Sequence, residues 1–458
     1  MAKIKTQYVC QQCGRAAARP LGRCPQCGGW NTMVEETIAS PAARRPAPGS
    51  LLPHAPKRFS EIEGDPDERL PLPLEEFSRV LGGGIVPGSV VLIGGDPGIG
   101  KSTLLLQTAL LLAEDGPILY VSGEESERQI KSRASRLAGE TRLPESLYLL
   151  TETDLHAILQ HIEALAPRLV IIDSIQAVSL PDVESSAGSI TQVRESAARL
   201  QAMAKASGVA VFLVGHVTKE GSIAGPRVLE HIVDTVLYLE GDAFHAYRLL
   251  RSVKNRFGAT TEVGVFEMQP FGLVEVPNPS EVFLAERVVN APGSAVAVTI
   301  EGTRPLLVEI QGLTSPTSFG HPRRTANGVD LNRLLLTVAV LTRRVGLGLS
   351  EQDVFVNVVG GLKVSEPAAD LAVAAAVASS MRDLAVPADL ACIGEVGLSG
   401  ELRTVAQVTA RLKEAAKLGF RRVLIPQATR QEDDWPAALQ ILPVRSLREA
   451  LSMLWPHT

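Results

Sequence analysis

Ser89–Thr103 reads SVVLIGGDPGIGKST. An unbroken apolar run of this kind is a buried strand. It leads directly into Gly95-Asp96-Pro97-Gly98-Ile99-Gly100-Lys101-Ser102-Thr103, a complete phosphate-binding loop. The glycines let backbone N–H groups curl round phosphate oxygens, Lys101 reaches the β and γ oxygens, and the Ser102 hydroxyl ligates Mg2+. Thr103 to Ala113 is Leu-rich and free of glycine, which suits a helix whose N-terminus faces the phosphates. Strand, loop and helix in this order predict an α/β nucleotide-binding domain that takes a nucleoside triphosphate with Mg2+.

Further along, PILYV (Pro117–Val121) runs into Ser122-Gly123-Glu124-Glu125, and RLVII (Arg168–Ile172) into Asp173-Ser174. A carboxylate at the C-terminal end of a parallel strand sits on the ligand-binding edge of the sheet. Asp173 is expected to complete the Mg2+ shell and Glu124 to polarise the attacking water, with Glu125 as its rival. VAVFLV (Val209–Val214) is a further strand, and it brings His216 to a place where a residue senses the γ-phosphate. Strands and helical segments alternate over Leu81–Val276, which predicts a doubly wound, mostly parallel sheet with no Rossmann Gly-x-Gly-x-x-Gly.

Upstream, four of the five cysteines form Cys10-x2-Cys13-x10-Cys24-x2-Cys27. Two Cys-x2-Cys hooks, each followed by glycine, aim four thiolates at one Zn2+, and in so short a segment the metal supplies folding energy. Prolines at 41, 46, 48, 53 and 56 mark an exposed linker. The expected organisation is a zinc module at 1–36, a linker at 37–60, a nucleotide domain at 61–278 and a last domain at 279–458. Residues 1–60 carry nine Lys/Arg against Glu35 and Glu36, a formal +7, in a chain whose net charge is −5. Such an arm is either a polyanion contact or a solvated basic tail. With 45% hydrophobic and 21% charged residues, the chain is neither disordered nor disulfide-dense. The longest apolar runs are far too short for a bilayer, and no signal-peptide core is present, so a cytosolic protein with no membrane partner is expected.

LGGGIVPGSVVLIGGDPGIGKST (Leu81–Thr103), YVSGEES (Tyr120–Ser126), LVIIDSIQ (Leu169–Gln176) and VKNRFG (Val253–Gly258) together resemble the bacterial RadA (Sms) family of DNA repair and recombination proteins. The resemblance covers essentially the whole chain, and it implies a RecA-type ATPase core between a four-cysteine zinc module and a Lon-protease-like α+β domain. It further implies that Lys254 and Arg256 act on the γ-phosphate of a neighbour in a hexameric ring, as arginine fingers do. Residues alone would read KNRFG as a polar turn. Ser179–Glu195 and Lys219–Arg227 have the composition of mobile loops, and in the family such loops face DNA along the ring axis. Lys219 and Arg227 are the expected phosphate contacts there, in sequence-independent, salt-dependent binding. The family's role implies translocation on single-stranded DNA and branch migration with the RecA recombinase. An ATP-operated assembly switch and an ATP-dependent protease are the alternatives.

From about Ser280 short strands (Ala295–Glu301, Leu306–Gln311) alternate with Ala-rich helices (Leu331–Arg344, Ala368–Met381), and Ala291-Pro292-Gly293 reads as an early turn. Matching Glu366-Pro367-Ala368-Ala369-Asp370 to the Lon nucleophile context puts Ala368 where the serine belongs. The catalytic lysine falls near Thr409, with Arg411, Lys413 and Lys417 close by and Ser365 as a stand-in nucleophile. A proteolytically inactive scaffold is therefore expected, with Arg421, Arg422 and helix residues as a basic face for DNA.

Overall fold

The computed structural model describes residues 5–10, 15–19, 21–30, 32–38, 58, 68–215, 226–241, 246–318 and 320–456. Cys13, His216, Lys219 and nearly all of the expected linker lie outside the described residues. The chain divides into two compact units. The first gathers Met1–Glu240, Arg248–Thr260 and Phe266–Glu275; the second gathers Gly241–Tyr247, Thr261–Val265 and Val276–Thr458.

In the first unit β1 (Lys5–Cys10), β2 (Ala16–Ala17) and β3 (Met33–Ile38) form an antiparallel sheet in the order β2-β1-β3. The nucleotide domain is built on β4 (Val90–Gly94), β5 (Ile118–Ser122), β6 (Leu147–Thr151), β7 (Leu169–Asp173), β8 (Ala210–Val214), β9 (Thr235–Gly241), β10 (Tyr247–Asn255), β11 (Val263–Gln269) and β12 (Gly272–Glu275). Their order is β12-β11-β10-β9-β4-β8-β7-β5-β6, and from β9 to β6 all neighbours are parallel. Every residue of β4, β5 and β8 is buried, so these strands read as unbroken apolar runs and not as alternating ones. Helices α1 (Glu75–Leu81), α2 (Lys101–Leu112) and α3 (Glu127–Ala138) pack a core on one face through Phe77, Leu104, Leu105 and Ile130. On the other face α4 (Leu155–Leu165) and α5 (Ile190–Ser207) do so through Ile158, Val193 and Leu200. The doubly wound fold expected from the chain is present.

The segment Ser179–Glu195 departs from the mobile loop expected of it. Its last part, Ile190–Glu195, opens α5, capped by Ser189. The buried Gln192 amide pins the rest: its nitrogen, with two hydrogens to donate, lies 3.1, 2.9 and 3.0 Å from the carbonyls of Leu180, Val183 and Ser185, and its oxygen accepts from Leu180 N at 2.9 Å. A glutamine one helical turn past the cap supplies the order that Gly/Ser composition hides. Arg227 lies in the short helix α6 (Pro226–Leu229).

In the second unit α7 (Pro279–Leu284) precedes β13 (Ser294–Glu301) and β14 (Arg304–Pro316), followed by β15 (Arg324–Asn327) and α8 (Leu331–Val340). Next come β16 (Gln352–Val358), α9 (Asp370–Arg382), β17 (Leu390–Cys392), a small hairpin β18–β19 (Glu395–Val396, Leu402–Arg403), α10 (Val408–Lys417), β20 (Arg422–Pro426), β21 (Gln440–Val444) and α11 (Leu447–Leu454). The main sheet runs β15-β16-β14-β13-β17-β20-β21. The expected helix Leu331–Arg344 ends regularly at Val340 and finishes in a π turn, Leu341–Val345. The alanine run of α9 has a packing cause: a Cβ on Gly312 of β14 would lie 2.9 Å from the backbone of Ala376 and Val377. Helix and strand meet here at backbone distance.

Candidate active site

At Gly95 the backbone leaves β4 with φ 150°, and a Cβ there would lie 2.4 Å from the Leu239 carbonyl. At Gly100, with φ 115°, a Cβ would lie 2.7 Å from Met268 Cε. Only glycine clears both approaches. Helix α2 starts at the next residue, Lys101, so its free N–H groups face the loop. A cleft of about 430 Å3 opens here, lined by Lys101, Ser102 and Thr103 of the loop and by Glu124, Glu125 and Asp173 from the ends of β5 and β7.

Lys101 is 4% exposed, and its ammonium donates to the carbonyls of Gly95 at 2.7 Å and Asp96 at 2.9 Å. Burial lowers its pKa, against the opposing pull of Asp173, Asp96 and Glu124. Asp173 accepts the Tyr120 hydroxyl at 2.5 Å, and burial, then the Asp173 charge, hold that phenol well above its usual range as a protonated donor. The adjacent glutamates have different partners. Glu124 accepts from the Ser174 hydroxyl at 2.5 Å, while Glu125 is ion-paired with Arg133 of α3. Gly123 permits this turn, because a Cβ there would sit 2.5 Å from Ala177 Cβ. Ser102 and Asp173 offer a hydroxyl and a carboxylate to one cleft, the hard oxygen donors that Mg2+ takes.

Tyr120, Ser174, Arg133, Arg248 and Met268 were not singled out in the sequence. Tyr120 and Ser174 fall inside the quoted runs but read there as strand and strand end; their signal was a hydroxyl at an otherwise apolar, buried position. Arg248 donates to the Ile99 carbonyl at 3.2 Å from β10, a contact that no local pattern announces.

Lys254 and Arg256 are not brought to this cleft. Lys254 Nζ donates to the carbonyls of Glu230 at 2.6 Å and Val233 at 2.8 Å, and burial, then the neighbouring Arg256 charge, lower its pKa. Arg256 lies 3.3 Å from Asp234, which also accepts the Val90 N–H at 3.0 Å. Val90 opens β4 and Gly94 ends it, so both cations sit at the strand-start edge, about 16 Å of strand from the cleft. The Asn255 side chain clasps the motif to α1, donating to Leu81 O at 3.2 Å and accepting from Phe257 N at 2.9 Å.

In the zinc module the Sγ atoms of Cys10, Cys24 and Cys27 all lie within 4.8 Å of one another, with Cys10 and Cys27 3.6 Å apart. Four thiolates about 2.3 Å from a tetrahedral Zn2+ would be about 3.8 Å apart, so these three fit such an ion. In the second unit Ala368, expected at the Lon nucleophile position, is buried in a 3-10 turn. Thr409 donates its hydroxyl to Glu432 at 2.5 Å. Arg411 is buried, held bidentately by Glu366 at 2.6 and 2.7 Å and donating to Val298 O. A guanidinium cannot act as a base. Ser365 is exposed. The expected basic face is largely neutralised, since Arg422 is bound to Asp389, Lys413 to Asp434 and Lys417 to Glu414. Arg421 stays exposed.

Family models match three stretches of the chain: an AAA domain at 56–222, a rubredoxin metal binding domain at 8–35, and subunit ChlI of Mg-chelatase at 336–429. The DNA repair protein RadA of Bacillus subtilis is 53% identical, with 98% of this chain and 99% of that protein covered. Its counterpart in Listeria monocytogenes is 51% identical over the whole of both chains, and that of Streptococcus pyogenes serotype M1 is 49% identical over 99% and 100%. A solved KaiC-like protein of Pyrococcus horikoshii is 22% identical and covers 46% of this chain and 99% of its own, with a TM-score of 0.38. A zinc ribbon, a P-loop ATPase core and a ChlI- or Lon-like domain follow one another in a chain that matches these relatives from end to end, and the chain belongs to the RadA family of DNA repair proteins.

Proposed function

We propose that this chain is an ATP-driven motor of recombinational repair that translocates on single-stranded DNA as a hexameric ring and promotes branch migration of recombination intermediates with the RecA recombinase. The observation that carries this reading is the separation of the two cationic groups. Lys101 lies in the cleft, while Lys254 and Arg256 stand at the opposite edge of the same sheet, out of reach of their own cleft, which supports a role for them at the cleft of an adjoining copy.

In that scheme water attacks the γ-phosphorus as the bond to the β,γ-bridging oxygen breaks, and ADP and phosphate leave. Glu124, oriented by Ser174, accepts the proton of the water. Lys101 exchanges its two carbonyls for β and γ oxygens. Lys254 and Arg256 of the adjoining copy neutralise the charge that develops between them. Ser102 and Asp173 would hold Mg2+, which would supply further charge neutralisation on the phosphates. Glu125, already neutralised by Arg133, is the weaker candidate for the base. His216 would report loss of the γ-phosphate, and Lys219 and Arg227 would grip DNA phosphates. Cys10, Cys13, Cys24 and Cys27 would hold a zinc ion, whose binding would supply folding energy to the N-terminal module.

Mixing variants tests the shared site. Lys101→Ala and Lys254→Ala are each expected to lose DNA-stimulated hydrolysis, and an equimolar mixture is expected to regain part of it, because some interfaces then pair an intact Lys101 with an intact Lys254. Full hydrolysis by Lys254→Ala alone overturns the assignment. A steady-state rate indifferent to single-stranded DNA at low and moderate salt would favour the assembly switch instead.

A further inference from the structure

Trp30 stands on the hairpin that carries the second cysteine pair. Arg23 and Trp30 face each other across an antiparallel bridge, with Cys24 and Cys27 in the turn between them. The turn is closed by Cys24 N–H to Gly29 O at 2.8 Å and Gly28 N–H to Cys24 O at 2.9 Å. On this pinned support the indole is 71% exposed. The Arg23 guanidinium lies 5.8 Å from the ring centroid and is fixed by its Nε donation to the Gly28 carbonyl at 3.0 Å. One face of the ring is thus backed by a cation and the rest is open to solvent. Arg15 and Arg19 are exposed on the same module. The other two tryptophans are engaged differently. Trp455 is 8% exposed and donates to Ala385 O, and Trp435 donates to Thr409.

An exposed indole on a pinned turn offers a large flat apolar surface to a partner. The charge around it selects the partner. Leu21 and Val34 are exposed aliphatic residues among those described in the module, but the ring is backed by Arg23 in an arm of formal charge +7 that also carries the exposed Arg15 and Arg19. A ring that stacks on any base, beside cations that take phosphates, matches a single strand whose bases are unpaired.

We infer that Trp30, braced by Arg23, is a base-stacking platform for single-stranded nucleic acid, with Arg15 and Arg19 on the adjoining phosphates. None of these residues lines the ATP cleft, and the inference rests on the reading that the chain binds single-stranded DNA. It explains how a strand can be held with bases engaged although Ser179–Glu195 and Lys219–Arg227 contain no aromatic residue.

The test titrates the full-length, zinc-loaded chain with a thymidine oligonucleotide and with an abasic strand of the same length, reading intrinsic tryptophan fluorescence and binding isotherms at several salt concentrations. The thymidine strand is expected to quench the emission and the abasic strand to leave it unchanged. Trp30→Ala is expected to lose the quench and about tenfold in affinity with an unaltered salt slope, and Trp30→Tyr to recover most of the affinity. Arg15→Ala with Arg19→Ala is expected to flatten the slope by about 1.4. Wild-type affinity in Trp30→Ala, with zinc content intact, overturns the platform and leaves DNA binding standing. Failure of the unaltered chain to bind either strand overturns both.

Discussion

Two neighbouring carboxylates, Glu124 and Glu125, illustrate what a residue's environment decides. They are chemically identical and both line the phosphate cleft, but one accepts from the Ser174 hydroxyl and the other is tied to the Arg133 guanidinium. The Arg133 ion pair holds the Glu125 carboxylate against α3, whereas the Ser174 hydroxyl orients that of Glu124. Glu124→Gln is therefore expected to lower kcat for ATP hydrolysis by about 10² or more while leaving nucleotide binding nearly unchanged. Glu125→Gln is expected to cost less than about tenfold. Steady-state kinetics with binding of a fluorescent ATP analogue checks both. In sequence the two differ by one position only, and their ranking depends on partners from β7 and α3.

Elements built on a local signal were legible. The run ahead of the phosphate loop gave β4, the glycine-free stretch behind it gave α2, and Pro117–Val121, Arg168–Ile172 and Val209–Val214 match β5, β7 and β8 within a residue at each end. Where a tertiary partner decides, composition misled. Ser179–Glu195 is Gly/Ser-bearing, yet the buried Gln192 amide holds it. In the second unit Arg411 looked like one of several basic residues on a helix, but its side chain is 2% exposed and locked to Glu366. Removing one partner of a buried pair strands the other charge. Arg411→Ala is thus expected to destabilise this unit by about 3–5 kcal/mol, and Arg411→Met with Glu366→Gln by clearly less. Denaturant unfolding with Trp455 as the reporter measures the difference.

At the scale of the whole molecule, the five cysteines divide into two chemistries that one reagent separates. Cys392 is fully buried in the second unit, and burial pushes its thiol up to about 12. Thiolate is the reactive form, so Cys392 is expected to resist iodoacetamide at pH 8 in the folded chain and to react once denaturant is added. The same shift weakens folding in alkali: above the ordinary thiol range the unfolded chain loses this proton first, so stability falls as pH rises toward the folded value. The four N-terminal cysteines are expected to react when a chelator strips the metal, with ATP hydrolysis in the absence of DNA little changed. Mass spectrometry of the alkylated chain distinguishes the two sets. Labelling of Cys392 in the native chain would contradict its burial.

Motifs whose meaning lies in contiguous residues were readable from the chain alone. The phosphate loop and the paired Cys-x2-Cys hooks each encode a local geometry. Tertiary structure decided which glutamate is neutralised, that Tyr120 and Ser174 serve the cleft, and that Lys254 and Arg256 stand at the far edge of their own sheet. These facts depend on residues far apart in sequence being brought within a hydrogen bond's length. Periodicity reports which face of an element is buried, but not what it is buried against.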